Sequence, residues 1–166
     1  MKFKHLKDNC SPSYPIGESY ESSYQYVINV AEVINDTFKD PQDHLILVVR
    51  GSSGCILGGG VAYLLTKMGR TVSIAISRKD NENCHGTSLD GIYTTRNRKI
   101  IIIDDFIETR NTINSIVEEI YDLVSDINKI DMVCVSNRFS KLLLTVRGQN
   151  MKELLSNFEY ICCSRP

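Results

Sequence analysis

The sequence predicts an α/β fold, a parallel twisted sheet flanked by helices, and three observations predict it. Apolar runs at 45–49, 71–76, 100–103 and 130–135 have the length of buried strands, and the first and third are continuous rather than alternating, as strands covered on both faces are. Segments with helical periodicity separate them, and strands alternating with helices favour a parallel sheet joined by right-handed crossovers. The chain's 166 residues can bury a proper core, and nothing in the composition demands a second domain. One domain over residues 1–166 is expected, its core at about 20–136.

Taken in order, residues 1–17 are polar, contain Pro12 and Pro15, and lack the apolar centre of a signal peptide. Residues 22–38 predict an amphipathic helix, with Ser22 and Gln25 spaced as a capping box and Val27, Val30, Ala31, Ile34 and Phe38 forming one apolar stripe. Residues 45–65 read as strand, Gly/Ser loop and helix, with Ser52 or Ser53 available to cap the helix while other N–H donors stay free. Gly58, Gly59 and Gly60 are costly inside that helix, which points to close backbone packing against the sheet or a ligand. Residues 71–76 form a second core strand. Ile113, Ile116, Val117, Ile120 and Val124 space the apolar face of a further helix, and 130–135 is the next strand. Residues 142–146, 151–158 and 160–163 read as strand, helix and strand without a signature.

The segment 100–112, IIIIDDFIETRNT, carries the most chemical information. An apolar strand ends in Asp104 and Asp105, and a short hydroxyl-bearing loop then opens into a helix. Two carboxylates and a row of free backbone N–H groups thus stand at the carboxyl end of a strand, where open α/β sheets bind ligands. A phosphorylated sugar suits them. The plainer alternative is a buried strand whose end is capped by acids. A third reading, the magnesium-binding strand of a P-loop NTPase, lacks its GxxxxGK[ST] partner here.

This stretch resembles the phosphoribosyl pyrophosphate (PRPP) signature of type I phosphoribosyltransferases, in which an apolar strand runs through a double acid to a Thr/Gly-rich loop. Asp104, Asp105, Ile107, Thr109 and Thr112 match that pattern, whereas Glu108, Arg110 and Asn111 depart from it. Glycine usually lets the loop's N–H groups approach the 5′-phosphate closely. Here a non-glycine backbone makes the turn, and the Arg110 guanidinium is available to the phosphate. The resemblance implies 5′-phosphate binding by Glu108, Thr109, Arg110, Asn111 and Thr112.

Two further stretches fit the same family. Residues 77–89, SRKDNENCHGTSL, look like the mobile catalytic loop of the orotate phosphoribosyltransferase branch through Arg78, Lys79, His85 and Gly86, although the intervening lysine is absent. Leaving pyrophosphate gains negative charge, which Arg78 and Lys79 suit, and His85 suits donation of a proton or hydrogen bond. The plainer alternative is a solvated polar loop. Arg50, Gly51, Ser52, Ser53 and Gly54 occupy the place of the family's pyrophosphate loop, although many strand-to-helix turns use Gly and Ser. The three stretches occur in the family's order over roughly 45–124.

The resemblance implies a pentosyl transfer from Mg²⁺-bound PRPP to a nucleobase, orotate-like or another base, with release of pyrophosphate. Asp104, Asp105, His85, Lys79 and Arg78 would be the catalytic group, with Asp104 the one side chain near the Mg²⁺ that PRPP carries. It also implies a homodimer, because the family's basic loop acts across a dimer interface, and a small hood built from the termini to recognise the base. The departures in the phosphate loop raise an alternative, a PRPP- or nucleotide-sensing regulator without turnover.

Composition narrows the remaining classes. Cys10, Cys55, Cys84, Cys134, Cys162 and Cys163 show no metal-ligand spacing, and several lie in apolar elements as free cysteines do, so a reduced, cytoplasmic setting is expected. Cys84 beside His85 lacks a third group to orient a nucleophile. A net charge of −1 argues against broad electrostatic binding of nucleic acid, and no stretch has the length of a membrane span. His5 and His44 read as surface histidines.

Overall fold

The computed structural model describes residues 20–78, 89–91, 98–107, 111–124, 130–137 and 142–146. The elements follow in the order α1 (Tyr20–Thr37), β1 (His44–Arg50), α2 (Gly51–Lys67), β2 (Thr71–Ser77), β3 (Leu89–Asp90), β4 (Arg98–Ile107), α3 (Asn111–Val124), β5 (Ile130–Asn137) and β6 (Leu142–Val146). The strands form one sheet in the order β3-β2-β1-β4-β5-β6. Its inner pairs, β1 with β2, β1 with β4 and β4 with β5, are parallel as expected. The outer pairs, β2 with β3 and β5 with β6, are antiparallel. Four residues separate β5 from β6, far too few for a parallel crossover. The expected hood and the elements expected at 151–158 and 160–163 lie outside the described residues.

The pleat sorts side chains onto two faces. Ile46 and Val48 of β1 and Ile100 and Ile102 of β4 join Ile113, Ile116, Val117 and Ile120 of α3 in one buried cluster. Leu45, Leu47 and Val49 with Ile101 and Ile103 pack against α1 and α2 on the other side, through Val30, Ile34, Leu57, Val61 and Leu65. Both faces of β1 and β4 are therefore covered, which explains why their sequences are apolar without alternation. The crossover β1-α2-β2 lies on one face and β4-α3-β5 on the other, so the winding reverses between β1 and β4.

A register irregularity in β5 keeps this sorting intact. Ile100 pairs with Ile130 but Ile101 pairs with Met132, leaving Asp131 as the extra residue of a bulge. The Asp131 carboxylate is buried, and its Oδ2 accepts the Ile100 N–H at 2.9 Å, replacing a ladder partner. Because of the bulge, Ile130 and Val133 face α3 while Met132 and Cys134 face α1 and α2.

The helices differ from expectation at their starts. α1 already includes Tyr20 and Glu21, so Ser22 stands inside it rather than at its cap. No loop intervenes between β1 and α2, since Gly51, at φ +70°, makes the turn in a single residue of left-handed backbone. Ser52 and Ser53 consequently belong to the first helical turn, and the residue at the cap, Arg50, makes no side-chain cap hydrogen bond. At the other end α2 stops in a Schellman turn, with Gly69 N–H on Thr66 O and Arg70 N–H on Leu65 O, both at 3.0 Å. Gly69 has φ +82° there. Among the described residues no helix is long and apolar enough to cross a membrane.

The three consecutive glycines of α2 have three different surroundings. A Cβ on Gly58 would stand 2.5 Å from Val49 Cγ1, so this residue lets the helix lie close on β1. A Cβ on Gly60 would stand 3.0 Å from Val27 Cγ1, which marks the contact with α1. Gly59 has nothing within 4 Å. Sheet and helix packing thus account for two of them.

Candidate functional site

The site follows from the reversal of winding. In an open sheet the crevice outside the carboxyl ends of the strands is widest where consecutive crossovers leave in opposite directions. Here that place lies between β1 and β4, and the residues emerging there are Arg50 with Gly51 from β1 and Asp104 with Asp105 in β4. A Cβ on Gly54 would lie 3.9 Å from the Ile103 carbonyl oxygen, so the first turn of α2 is brought against β4 one residue before Asp104. Two of the stretches singled out in the sequence therefore meet in space.

Asp104 is buried, with 5% of its surface exposed, and holds its place opposite Val135. The pleat puts it on the same side of β4 as Ile100 and Ile102, towards α3. The β4/β5 register breaks between Asp104 and Ile107, where the strand end departs from regular pairing. Bulges of this kind re-aim side chains at the rims of sheets. Asp105 follows in the strand, Asn111 opens α3, and Thr112 is half-buried in the helix's first turn.

The first N–H groups of a helix have no partner within it, and the aligned peptides place partial positive charge there. Gly51, Ser52, Ser53 and Gly54 form that turn in α2, and Asn111 and Thr112 begin it in α3. Ser52 is exposed, Ser53 half-buried and Gly54 buried. Both helices point their amino ends towards the carboxyl edge of the sheet. Two anion-attracting helix starts thus flank Asp104, one from each face.

Arg50 does not extend freely into the crevice. Its Nη1 donates to Ser77 Oγ at 3.1 Å and to Glu119 Oε1 at 3.0 Å. The Arg50 and Glu119 side chains are only 8% and 14% exposed, and Ser77 is buried. Glu119 lies in α3 beside the apolar stripe, and its position in the chain carries no sign of this role. Glu119 Oε2 is buried without a hydrogen-bond partner.

Arg78 leaves the end of β2 and donates through Nε and Nη2 to Asp90 Oδ2, at 2.9 and 2.6 Å. This ion pair ties the first basic residue of the 77–89 stretch to β3, with both side chains about a quarter exposed. Burial raises the thiol of Cys55 above its ordinary value, and the Arg78 charge opposes that rise. A raised thiol is a poor nucleophile. The Cys134 thiol, fully inside the core, is raised further by burial alone.

The structure thus gathers Arg50, Gly51, Ser52, Ser53, Gly54, Arg78 and Asp104 at one edge of the sheet, with Thr112 at the start of α3. Lys79, His85, Glu108, Thr109 and Arg110 lie outside the described residues. Sequence reasoning missed Ser77, Asp90 and Glu119, since a serine ending a strand, an acid in a two-residue edge strand and an acid on a helix carry no motif. Among the described residues no three His, Cys, Asp or Glu side chains gather as a metal-binding group.

No family model matches the chain, and no curated protein matches its sequence. Solved structures do resemble it. An HGPRT-ase from Leishmania tarentolae in complex with GMP aligns over 71% of this chain and 65% of its own length, at 16% identity and a TM-score of 0.50. A hypoxanthine-guanine phosphoribosyl transferase from L. donovani aligns over 70% of this chain and 67% of its own, at 14% identity and 0.47. A hypoxanthine phosphoribosyltransferase from Trypanosoma cruzi in complex with the product IMP aligns over 70% and 65%, at 15% identity and 0.46. This chain therefore spans just under two thirds of the length of the L. tarentolae protein. That first likeness, together with the sheet order, establishes the architecture: an α/β fold of the type I phosphoribosyltransferase kind.

Proposed function

We propose that the protein is a phosphoribosyltransferase, transferring the 5-phosphoribosyl group of PRPP to a ring nitrogen of a nucleobase and releasing pyrophosphate. The observation that carries this reading is the meeting of the Gly51 to Gly54 turn with β4, directly before Asp104, at the reversal of winding between β1 and β4. One turn offers N–H groups to the pyrophosphate, and the start of α3, with Glu108, Thr109 and Arg110 before it, offers the same to the 5′-phosphate. The ribose would then lie across the end of β4, its hydroxyls towards Asp104 and Asp105.

The chemistry asked of these residues is mainly electrostatic. As the bond to the anomeric carbon breaks, the ribose gains positive charge and the leaving pyrophosphate negative charge. Asp104 and Asp105 favour the first. Arg78, Lys79 and the helix N–H groups favour the second, and His85 donates a proton or hydrogen bond to the departing oxygen. A carboxylate at the strand end suits Mg²⁺ that is held chiefly by the phosphates of PRPP, where the ion offsets their charge. We assign the acceptor only as a nucleobase, orotate-like first, and the working form as a homodimer.

The departures at Arg110 and Asn111 favour one other reading, a PRPP- or nucleotide-sensing regulator on the same fold. The two readings separate in one experiment, pyrophosphate release from Mg²⁺-PRPP across a panel of pyrimidine and purine bases, run beside calorimetric titration with PRPP. Turnover with one base, falling about 100-fold or more in Asp104→Asn, is the expected result. Saturable binding without turnover for any base would favour the sensor. Turnover unchanged in the Asp104→Asn/Asp105→Asn double variant would refute the site.

A further inference from the structure

We propose that Arg50 and Glu119 are positioning residues, which set the spacing between the two phosphate-holding ends of the site; the proposal rests on the phosphoribosyltransferase reading above. Arg50 is the last residue of β1 and directly precedes the turn assigned to pyrophosphate. Its guanidinium bonds Ser77, the last residue of β2, and Glu119 of α3. One side chain thereby joins the carboxyl ends of two strands to the helix whose start is assigned to the 5′-phosphate. Glu119 stands eight residues beyond Asn111, about 12 Å along the helix axis from that start.

The two cradles approach the crevice from opposite faces of the sheet. A ligand with a single phosphate group needs only one of them, and their separation is irrelevant to it. PRPP carries the 5′-phosphate and the pyrophosphate on one ribose, so it must reach both at once, and a small misplacement of reacting groups is costly. The Arg50–Glu119 bond, largely withdrawn from water, is a direct link across that separation. A buried ion pair is a poor device for stability alone, because desolvation offsets most of the attraction. Glu119 Oε2 adds to that cost by being buried without a partner.

The alternative role, Arg50 as a direct anion ligand, predicts the opposite sign for one substitution. If the arginine had to reach the pyrophosphate, Glu119 would compete with the anion, and Glu119→Gln would tighten binding. If the pair sets position, Glu119→Gln and Arg50→Lys weaken PRPP binding alike and, as two halves of one link, do so without adding up.

The test is calorimetric titration of the full chain, as wild type, Arg50→Lys, Glu119→Gln and the double variant, with Mg²⁺-PRPP, pyrophosphate and ribose 5-phosphate. Affinity for PRPP is expected to fall about 10-fold in each variant and no further in the double, while the two single-cradle ligands change less than about twofold. Equal losses for all three ligands would mean a merely structural pair, and tighter pyrophosphate binding by Glu119→Gln would make Arg50 a ligand; either overturns the proposal and leaves the phosphoribosyltransferase reading standing. Failure of the wild type to bind PRPP overturns that reading and the proposal with it. Should Arg50→Lys not fold, Glu119→Gln decides, since it keeps the shape of the partner and removes only its charge.

Discussion

At the scale of single residues, the backbone is tightly constrained at Gly91, which directly follows β3. Its φ of +99° is a conformation side chains rarely adopt, and an added Cβ would stand 2.7 Å from the Ile74 carbonyl oxygen. Neither the backbone of β2 nor the φ can yield cheaply. Gly91→Ala is expected to destabilise the fold by at least about 2 kcal/mol, read as a lowered urea midpoint at unchanged slope. Because Gly91 follows Asp90, the partner of Arg78, the same substitution should also loosen that ion pair. The sequence shows a glycine at 91 but not the carbonyl it lies against, so its necessity was not legible there. Asp104 is the opposite case, since its place after four isoleucines already put a carboxylate near the carboxyl end of a strand. Gly54, which stands against the carbonyl of Ile103 just before Asp104, was legible only as a member of a turn.

At the scale of elements, α2 shows how one composition hides several causes. Gly58 and Gly59 are adjacent and equally poor helix formers, yet Val49 closes the space at the first and nothing approaches the second. Gly59→Ala should therefore stabilise the protein by up to about 1 kcal/mol through helix propensity. Gly58→Ala should instead destabilise it by about 1–3 kcal/mol, because Val49 is stiff and the helix must lift from β1. Thermal unfolding of the two variants checks the pair of signs, and two shifts of the same sign would refute this packing of α2 on β1. Periodicity identified α1 and α3 correctly because an apolar stripe is a local property, whereas α2 was read from the Gly/Ser turn that opens it. Helix starts were less legible: a single left-handed glycine replaced the expected loop before α2, and α1 begins ahead of Ser22.

At the scale of the whole molecule, two apolar layers clamp the central strands, and Cys134 sits at full burial in the layer under α1 and α2. Its thiol, raised by that burial, stays protonated in the folded state to higher pH than in the unfolded chain. Stability from this group is complete below the ordinary thiol value of 9.0 and declines as pH rises past it, because the unfolded chain then binds fewer protons. Cys55 contributes in the same direction. Under reducing conditions, the urea midpoint should fall between pH 8 and pH 10, and Cys134→Ala, though less stable at pH 8, should lose less over that interval. A loss as steep in the variant as in the wild type would assign the alkaline decline to other groups.

Local sequence was enough to establish that the chain is α/β, where β1, β2, β4, β5 and β6 run, which faces of the helices are apolar, and that two acids stand near the carboxyl end of a buried strand, although β4 runs on past them to Ile107. All of these are set by the local period and by neighbours within a few residues. Packing between elements set the order of the strands, the antiparallel edges, and the bulge at Asp131 that keeps β5 in phase with the core. It also turned Arg50 towards Ser77 and Glu119, the latter 69 positions away in the chain. A buried charge must find its counterpart among whatever groups the fold delivers to it, and no spacing along the sequence encodes that choice.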